Sequence, residues 1–339
     1  MNRITYGLDI AKHTFQLYWV DPDSGVVFNR RFSRKSLIEF LSKRSRGCVA
    51  LEACGSAHSW ARRLGTYGHE VVLIHPRFVR PFVQTNKTDS ADAKAICVAA
   101  QQPGMRFVAV KTEEQQAVLA LHRMRSSQVK FRTAQVNQLR GLLYEFGITV
   151  IAGRQAGLAR IREKMAELQA TVPPLLFEAI KDHLARIEHF DQEIKRLERQ
   201  IQVWNRQQSA CLSIRDIPGI GTLTASALVA SIGNVRAFKS GRELAAFIGL
   251  VPRHSGTGGK VRLGGISKRG DPYLRTLLIH GARSVIYSAR KKSKWVESLL
   301  SRRPGNVAVV ALANKIVRTV WAVLAHGQAY DPFRANVGT

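Results

Sequence analysis

The chain has 339 residues, 45% of them hydrophobic, enough for two or three domains with sizeable cores. Its 52 Lys and Arg outnumber 24 Asp and Glu, a formal charge of +28, so it attracts polyanions and nucleic acid is the expected partner. No apolar run reaches the ~18 residues of a membrane span. The N-terminus lacks the apolar stretch of a signal peptide, and four cysteines without a CxxC pair argue against a disulfide framework or structural zinc.

In chain order, "RITYGLDI" alternates apolar residues and predicts a strand. "HTFQLYWVD" reads as its hairpin partner and "VVFNRRF" as a third strand after the "DPDSG" turn. "SRKSLIEFLSKR" has helical spacing, with Ser33 as candidate N-cap. "CVALEACG" and "HEVVLIHP" are apolar runs of the kind buried on both faces of a sheet, separated by the helix "SAHSWARRLGTYG". "TDSADAKAICVAAQQ" is a further helix. Together these predict an α/β fold with a mixed sheet and helical crossovers.

From about Thr112 onward the pattern predicts helices alone. "EEQQAVLALHRMRSSQVKFRTAQVNQLRGLLYEFG" reads as one long amphipathic helix or two. From Ile187 the apolar positions Ile187, Phe190, Ile194, Leu197, Ile201 and Trp204 recur at heptad spacing, the seam of a helical hairpin or an intersubunit coiled coil. The last segment, from near Ala210, is punctuated by glycine. It closes with "VAVVALANKIVRTVWAVLAHG", a core helix interrupted by Lys315 and Arg318.

Four acids stand out in so basic a chain. Asp9 and Glu52 lie in apolar strands, where a carboxylate is costly unless paired or bound to metal. Asp89 and Asp92 share one face at the start of a helix. Converged carboxylates repel one another, which hard divalent cations such as Mg²⁺ relieve; two such ions could clamp a phosphodiester. Taken singly, Asp89 could equally be an N-cap, Asp92 a helix N-terminal charge and Asp9 a turn residue.

"IRDIPGIGTLTASAL" resembles a helix-hairpin-helix, with Gly219 and Gly221 allowing backbone N–H groups near a DNA phosphate. A plain helical turn is the alternative. "RHSGTGGKVRLGGISKRGD" is not a Walker loop, because Val261 and not Ser or Thr follows Lys260. Its Ser255 and Thr257 stand among Arg253, Lys260, Arg262, Lys268 and Arg269. Such a loop can bring a hydroxyl to a phosphate and stabilise the charge that develops, or it can hold a DNA backbone without chemistry.

The series "GLDIAKHTF", "LEACGS", "NKTDSADAKAI", "IPGIGTLTASAL" and "AAFIGLVPRHSGTGGKVRLGGISKRGDPYLRTLLI" resembles the DEDD transposases of bacterial insertion sequences, over nearly the whole chain. The match is nearer to their "eleven-eleven" branch, related to the "one-ten" group and its bridge-RNA-guided recombinases. The resemblance implies an RNase H-like (RuvC-like) domain with trailing helices over 1–150, a coiled-coil linker over 151–208 and a mostly helical transposase domain over 209–335. It implies that Asp9, Glu52, Asp89 and Asp92 bind Mg²⁺, in a two-metal arrangement, and that a serine forms a covalent phosphoserine link to DNA. A noncoding guide RNA pairing with donor and target DNA is implied, as is a homo-oligomer, dimer or tetramer, with acids and serine from different subunits. The location implied is the bacterial cytoplasm, at the nucleoid, with no membrane partner.

Where the family commonly reads "PRQHSTGGK", this chain reads "PRHSGTGGK". Alignment on His254 places the nucleophile at Ser255, and alignment on the Gly-Gly-Lys places it at Thr257. Ser255 is the expected nucleophile, since a primary hydroxyl is less crowded. The competing function is a RuvC-like metal-dependent nuclease or junction resolvase without a covalent intermediate.

Overall fold

The computed structural model describes residues 3–331 other than 85, 87, 152, 258, 259 and 289–291, and the backbone alone of Val261. The chain divides into two compact units, Met1–Gln116 with Ile232–Asn234, and Ala117–Ser231 with Val235–Thr339.

The first unit is a mixed α/β sheet. Its elements are β1 (Thr5–Ile10), β2 (Thr14–Val20), β3 (Val27–Ser33), α1 (Arg34–Ser42), β4 (Cys48–Glu52), α2 (Ala57–Gly65), β5 (Glu70–Ile74), the single turn α3 (Pro76–Val79), α4 (Asp89–Ala100) and β6 (Phe107–Val108). The sheet order is β3-β2-β1-β4-β5-β6. β1, β2 and β3 pair antiparallel, β4 and β5 run parallel to β1, and β6 closes the edge antiparallel to β5.

Side-chain alternation along each strand divides the core into two layers. Tyr6, Leu8, Phe15, Leu17, Trp19, Val49 and Leu51 join Leu37, Leu41, Trp60 and Leu64 of α1 and α2. Ala50, Val72 and Ile74 face Ala95, Ile96 and Ala99 of α4 on the other side. Ser33 caps α1 as expected, in a reciprocal capping box with Ser36.

The second unit contains most of α5 (Glu113–Glu145), then α6 (Arg154–Glu163), α7 (Met165–Thr171), α8 (Pro174–Gln207), α9 (Ser209–Ile214) and α10 (Thr222–Ile232). α11 (Gly241–Ile248), β7 (Pro252–Thr257), β8 (Lys260–Ile266), α12 (Pro272–Ser288), α13 (Lys294–Leu300) and α14 (Gly305–His326) follow. α5 is one continuous helix of 33 residues. It lies antiparallel to α8: Arg125 pairs with Glu198 and Arg132 with Asp191, and the Phe131 and Phe190 rings meet. The seam residues Ile187, Ile194, Leu197 and Ile201 are buried within this chain.

One expectation is overturned. The second unit is not helical throughout, because the glycine-rich stretch is a β-hairpin in which β7 and β8 pair antiparallel. Every residue of β7 is exposed, so no hydrophobic alternation marks it in the sequence. Among the described residues one helix, α14, is long and apolar enough to cross a membrane by length and composition. It buries Ala308, Val309, Leu312, Ala313, Ile316, Val317, Val320 and Val323, and packs against α11 and α12.

Candidate active site

In the first unit the charges of Glu52, Asp89 and Asp92 converge on Asp9. Asp9 lies in β1, opposite Gln16 of β2. It shares a sheet face with Gly7, where α4 lies directly on the strand. A Cβ on Gly7 would stand 2.2 Å from the Ala93 carbonyl oxygen and 2.5 Å from the Cys97 nitrogen. Thr88 caps α4, its hydroxyl accepting from the Ala91 N–H at 3.2 Å. Asp89 and Asp92 are therefore free of the capping role and occupy the first turn. Glu52 ends β4, the parallel neighbour of β1.

The electrostatics report the convergence. Burial, then the charges of Asp92, Asp89 and Glu52, push the Asp9 carboxyl up to about 6, against a hydrogen bond from the Ile10 backbone. Among the described residues, no three His, Cys, Asp or Glu side chains stand close enough to hold one metal ion. The acids are thus coupled by charge in this conformation without forming a coordination shell. An all-carboxylate set in which burial and neighbouring charge make ionisation of one member costly suits a hard divalent cation. Cys54, which no sequence motif marks, also lies in this field: burial, then Glu52 and Asp9, raise the pKa of its thiol.

In the second unit the hairpin gathers the hydroxyls and the cations. Ser255 stands across from Arg262, and Thr257 across from Lys260. A Cβ on Gly264 would lie 3.9 Å from the Arg253 Cβ, so Arg253 faces Gly264 across the hairpin. Residues two apart on a strand share a face. Arg253, Ser255, Thr257, Lys260 and Arg262 therefore project from one side. The two-residue turn between the strands, 258–259, lies outside the described residues.

Lys268 and Arg269 sit instead at the root. Lys268 has a left-handed φ of 53°. Arg275 of α12 holds the root by donating from Nη1 to the carbonyls of Ile248 and Arg269, both at 2.9 Å. A Cβ on Gly249 would meet the Arg269 oxygen at 2.1 Å. No local sequence pattern marks Arg275 or Gly249 for these roles.

The Pro-Gly-Ile-Gly turn joins α9 to α10, and its two glycines differ. Gly219, at φ 91°, packs on α12: a Cβ on Gly281 would stand 2.0 Å from the Gly219 oxygen. Gly221 faces open space. It borders a groove of about 760 Å³ whose lining includes Lys195, Arg199, Thr222, His280 and Ser284. Lys195, Arg199 and the acid Glu198 come from α8, and His280 and Ser284 from α12, so no contiguous run in the sequence reveals the groove.

Two family profiles match the chain. A DEDD profile of the IS110 type, described as "Transposase", covers residues 6–148, and "Transposase IS116/IS110/IS902 family" covers residues 211–296. The chain is 48% identical to "Probable family 20 transposase" of Pseudomonas aeruginosa, over 98% of this chain and 100% of that protein. It is 40% identical to "Transposase for insertion sequence element IS1111A" of Coxiella burnetii, over 96% of this chain and 90% of that protein. A more distant relative, "Pilin gene-inverting protein" of Moraxella bovis, is 21% identical over 98% of each. The acid-bearing strands and α4 fall inside the first profile and the hydroxyl hairpin inside the second: the chain belongs to the IS110 family of insertion-sequence transposases.

Proposed function

We propose that this transposase cuts and rejoins DNA through a covalent phosphoserine intermediate at Ser255, aided by Mg²⁺ held by Asp9, Glu52, Asp89 and Asp92. The observation that carries the nucleophile assignment is the hairpin face on which Ser255 stands opposite Arg262, flanked by Arg253. The Ser255 oxygen bonds to phosphorus as one sugar oxygen leaves, and the hydroxyl proton ends on that leaving alcohol. The diester is conserved as a protein–DNA link that a second strand end can reverse. Arg253 and Arg262 offset charge on the five-coordinate transition state. Thr257, on the same face opposite Lys260, is the alternative nucleophile.

When bound, Mg²⁺ would neutralise the four carboxylates and polarise a phosphoryl oxygen, in the two-metal form if two ions bind. The raised Asp9 carboxyl supports that assignment, since Asp9, Glu52, Asp89 and Asp92 repel one another without a cation. Three antiparallel strands followed by two parallel ones support an RNase H-like, RuvC-like sheet. The turn between α9 and α10 supports a helix-hairpin-helix facing the groove that Gly219 and Gly221 both line, with Gly221 free of packing and Gly219 also set against α12. The α5–α8 pair supports a coiled-coil arm formed within one chain; the homo-oligomer rests on the family resemblance.

The charge of +28 and the family resemblance support a guide RNA alongside DNA. Pairing by that RNA, and not side chains, would then choose donor and target, and the enzyme would work at the nucleoid. The relative named for inverting a pilin gene supports strand exchange over simple cleavage, because inversion requires rejoining.

The protein incubated with DNA of its own element ends, its co-purified RNA and Mg²⁺ should give a protein–DNA adduct on a denaturing gel. Cut strands without adduct would establish the metal-dependent nuclease instead.

A further inference from the structure

We propose that the cavity beside the hairpin root receives an unstacked nucleobase from the DNA strand that lies along the hairpin. The cavity measures about 1080 Å³, just above the ~300–1,000 Å³ typical of pockets that enclose small organic ligands, so it has room for a base. Pro252, Gly264, Gly265 and Ile266 of the hairpin form one wall. The other is α14, with Trp295 of α13 beside it. All of these residues belong to the second unit.

Its chemistry fits a flat aromatic ring with a polar edge. Val307, Val310 and Ala311 supply apolar wall, and Trp295 an aromatic surface of the kind on which bases stack. The side-chain amides of Asn306 and Asn314 also line it. Asn314 donates from Nδ2 to the Leu250 carbonyl at 3.1 Å. That bond fixes the amide, so Oδ1 is the atom offered to a base N–H.

Its charge fits a nucleotide better than an apolar peptide or a lipid. Lys315 and Arg318 line it against a single acid, Asp331. The Lys315 ammonium lies 4.6 Å from the centre of the Trp295 ring, and burial lowers its pKa. A base taking that ring face would release the ammonium to the phosphate of the same nucleotide.

Its position fits the chemistry proposed for the hairpin. Gly264 lies two residues beyond Arg262 on β8, roughly 7 Å along the strand, about one nucleotide from a phosphate facing Ser255. A Cβ on Gly265 would meet nothing within 4 Å, so the wall is open there. A captured base would fix which phosphate stands before the hydroxyls. The inference rests on the hairpin reading for this register alone, and Ser255 and Thr257 serve it equally.

The test is photocrosslinking of the full-length protein to a short thymidine strand carrying one 5-iodouracil, with peptide mapping. The crosslink is expected on Trp295. Gly265→Leu and, from the opposite wall, Ala311→Phe should each reduce it about tenfold or more, and a strand of abasic sites should compete about tenfold less well than thymidine. Circular dichroism and thermal unfolding identify a variant that fails to fold, and the other then decides. Crosslinks confined to other residues, persistence of the Trp295 crosslink in both folded variants, or equal competition by the abasic strand would each overturn the proposal. Ser255→Ala should leave the crosslink intact, so failure of the phosphoserine reading is read separately.

Discussion

Ser255 and Arg262 are directly opposed across an antiparallel hairpin, so their side chains leave the same face side by side. A guanidinium at that position can hold a phosphoryl oxygen while the hydroxyl meets phosphorus. Arg262→Gln should therefore slow adduct formation by about 10²- to 10³-fold, the usual effect of losing one transition-state donor. Overall DNA affinity, shared among many cations, should change far less. Single-turnover rates alongside filter binding separate the two effects.

The charge state of Asp9 makes a prediction about stability. Its carboxyl titrates near 6 in the fold, above the ordinary 3.8. Between those values the folded chain holds more protons than the unfolded one, so this group's contribution to stability falls as pH rises through the window. At neutral pH without divalent ions, Asp9→Asn should stabilise the protein, on the order of 1–2 kcal/mol. Mg²⁺ should raise the Tm of the native chain and leave the variant nearly unmoved. Thermal melts with Mg²⁺ and with chelator check both signs.

Substitution at the Gly219–Gly281 contact and at Gly221 should have different effects. Gly281→Ala drives a methyl into the Gly219 carbonyl and should cost about 1–3 kcal/mol as an overpacked contact. Gly221→Ala adds a methyl to open space, so stability should hold. If the amides beside it contact a phosphate, its DNA affinity should drop and the salt slope flatten by about one. Urea midpoints and salt titrations of binding distinguish the pair.

His122 sets the acid limit of the second unit. Burial, then Arg125, pull its imidazole down to about 4. Ser226 gives its hydroxyl proton to the Thr222 carbonyl at 2.7 Å, so it accepts from the His122 Nε2–H at 3.1 Å. Nδ1 then accepts from the Tyr273 hydroxyl at 2.9 Å, an arrangement that only neutral imidazole satisfies. Between pH 4 and 6.5 the unfolded chain binds more protons, so stability rises with pH there and is flat for this group above. Protonating His122 on moving from pH 7 to 4.5 should cost on the order of 2 kcal/mol, and His122→Gln should remove that share of the slope. His58, also held near 4 by burial, Lys111 and Arg62, adds in the same direction. Urea midpoints at the two pH values test it.

Much of the first unit could be read from the chain because its strands alternate visibly. Tyr6 and Leu8 point to one layer while Gly7 and Asp9 point to the other, and Asp89 and Asp92 begin a helix as their spacing predicts. What could not be read was distance. Gly7 matters because α4 rests on it, and Gly219 because Gly281 does, contacts that no local pattern encodes. The hairpin is hard to read for a different reason: β7 carries no alternation of apolar and polar residues, and Leu263, which alternates with Lys260 and Arg262 in β8, is exposed and packs into no core. The two-residue strand β6 left no signal either. The heptad seam of α8 was legible, but its partner α5 was not.

Ser255 and Thr257 share one face of the hairpin, so the decisive measurement is the residue that carries DNA. The adduct formed with element-end DNA and Mg²⁺ should be digested and its nucleotide-bearing peptide mapped by mass spectrometry. The nucleotide is predicted on Ser255, with the adduct absent in Ser255→Ala and retained in Thr257→Ala. An adduct on Thr257, or one that survives Ser255→Ala, would contradict the assignment.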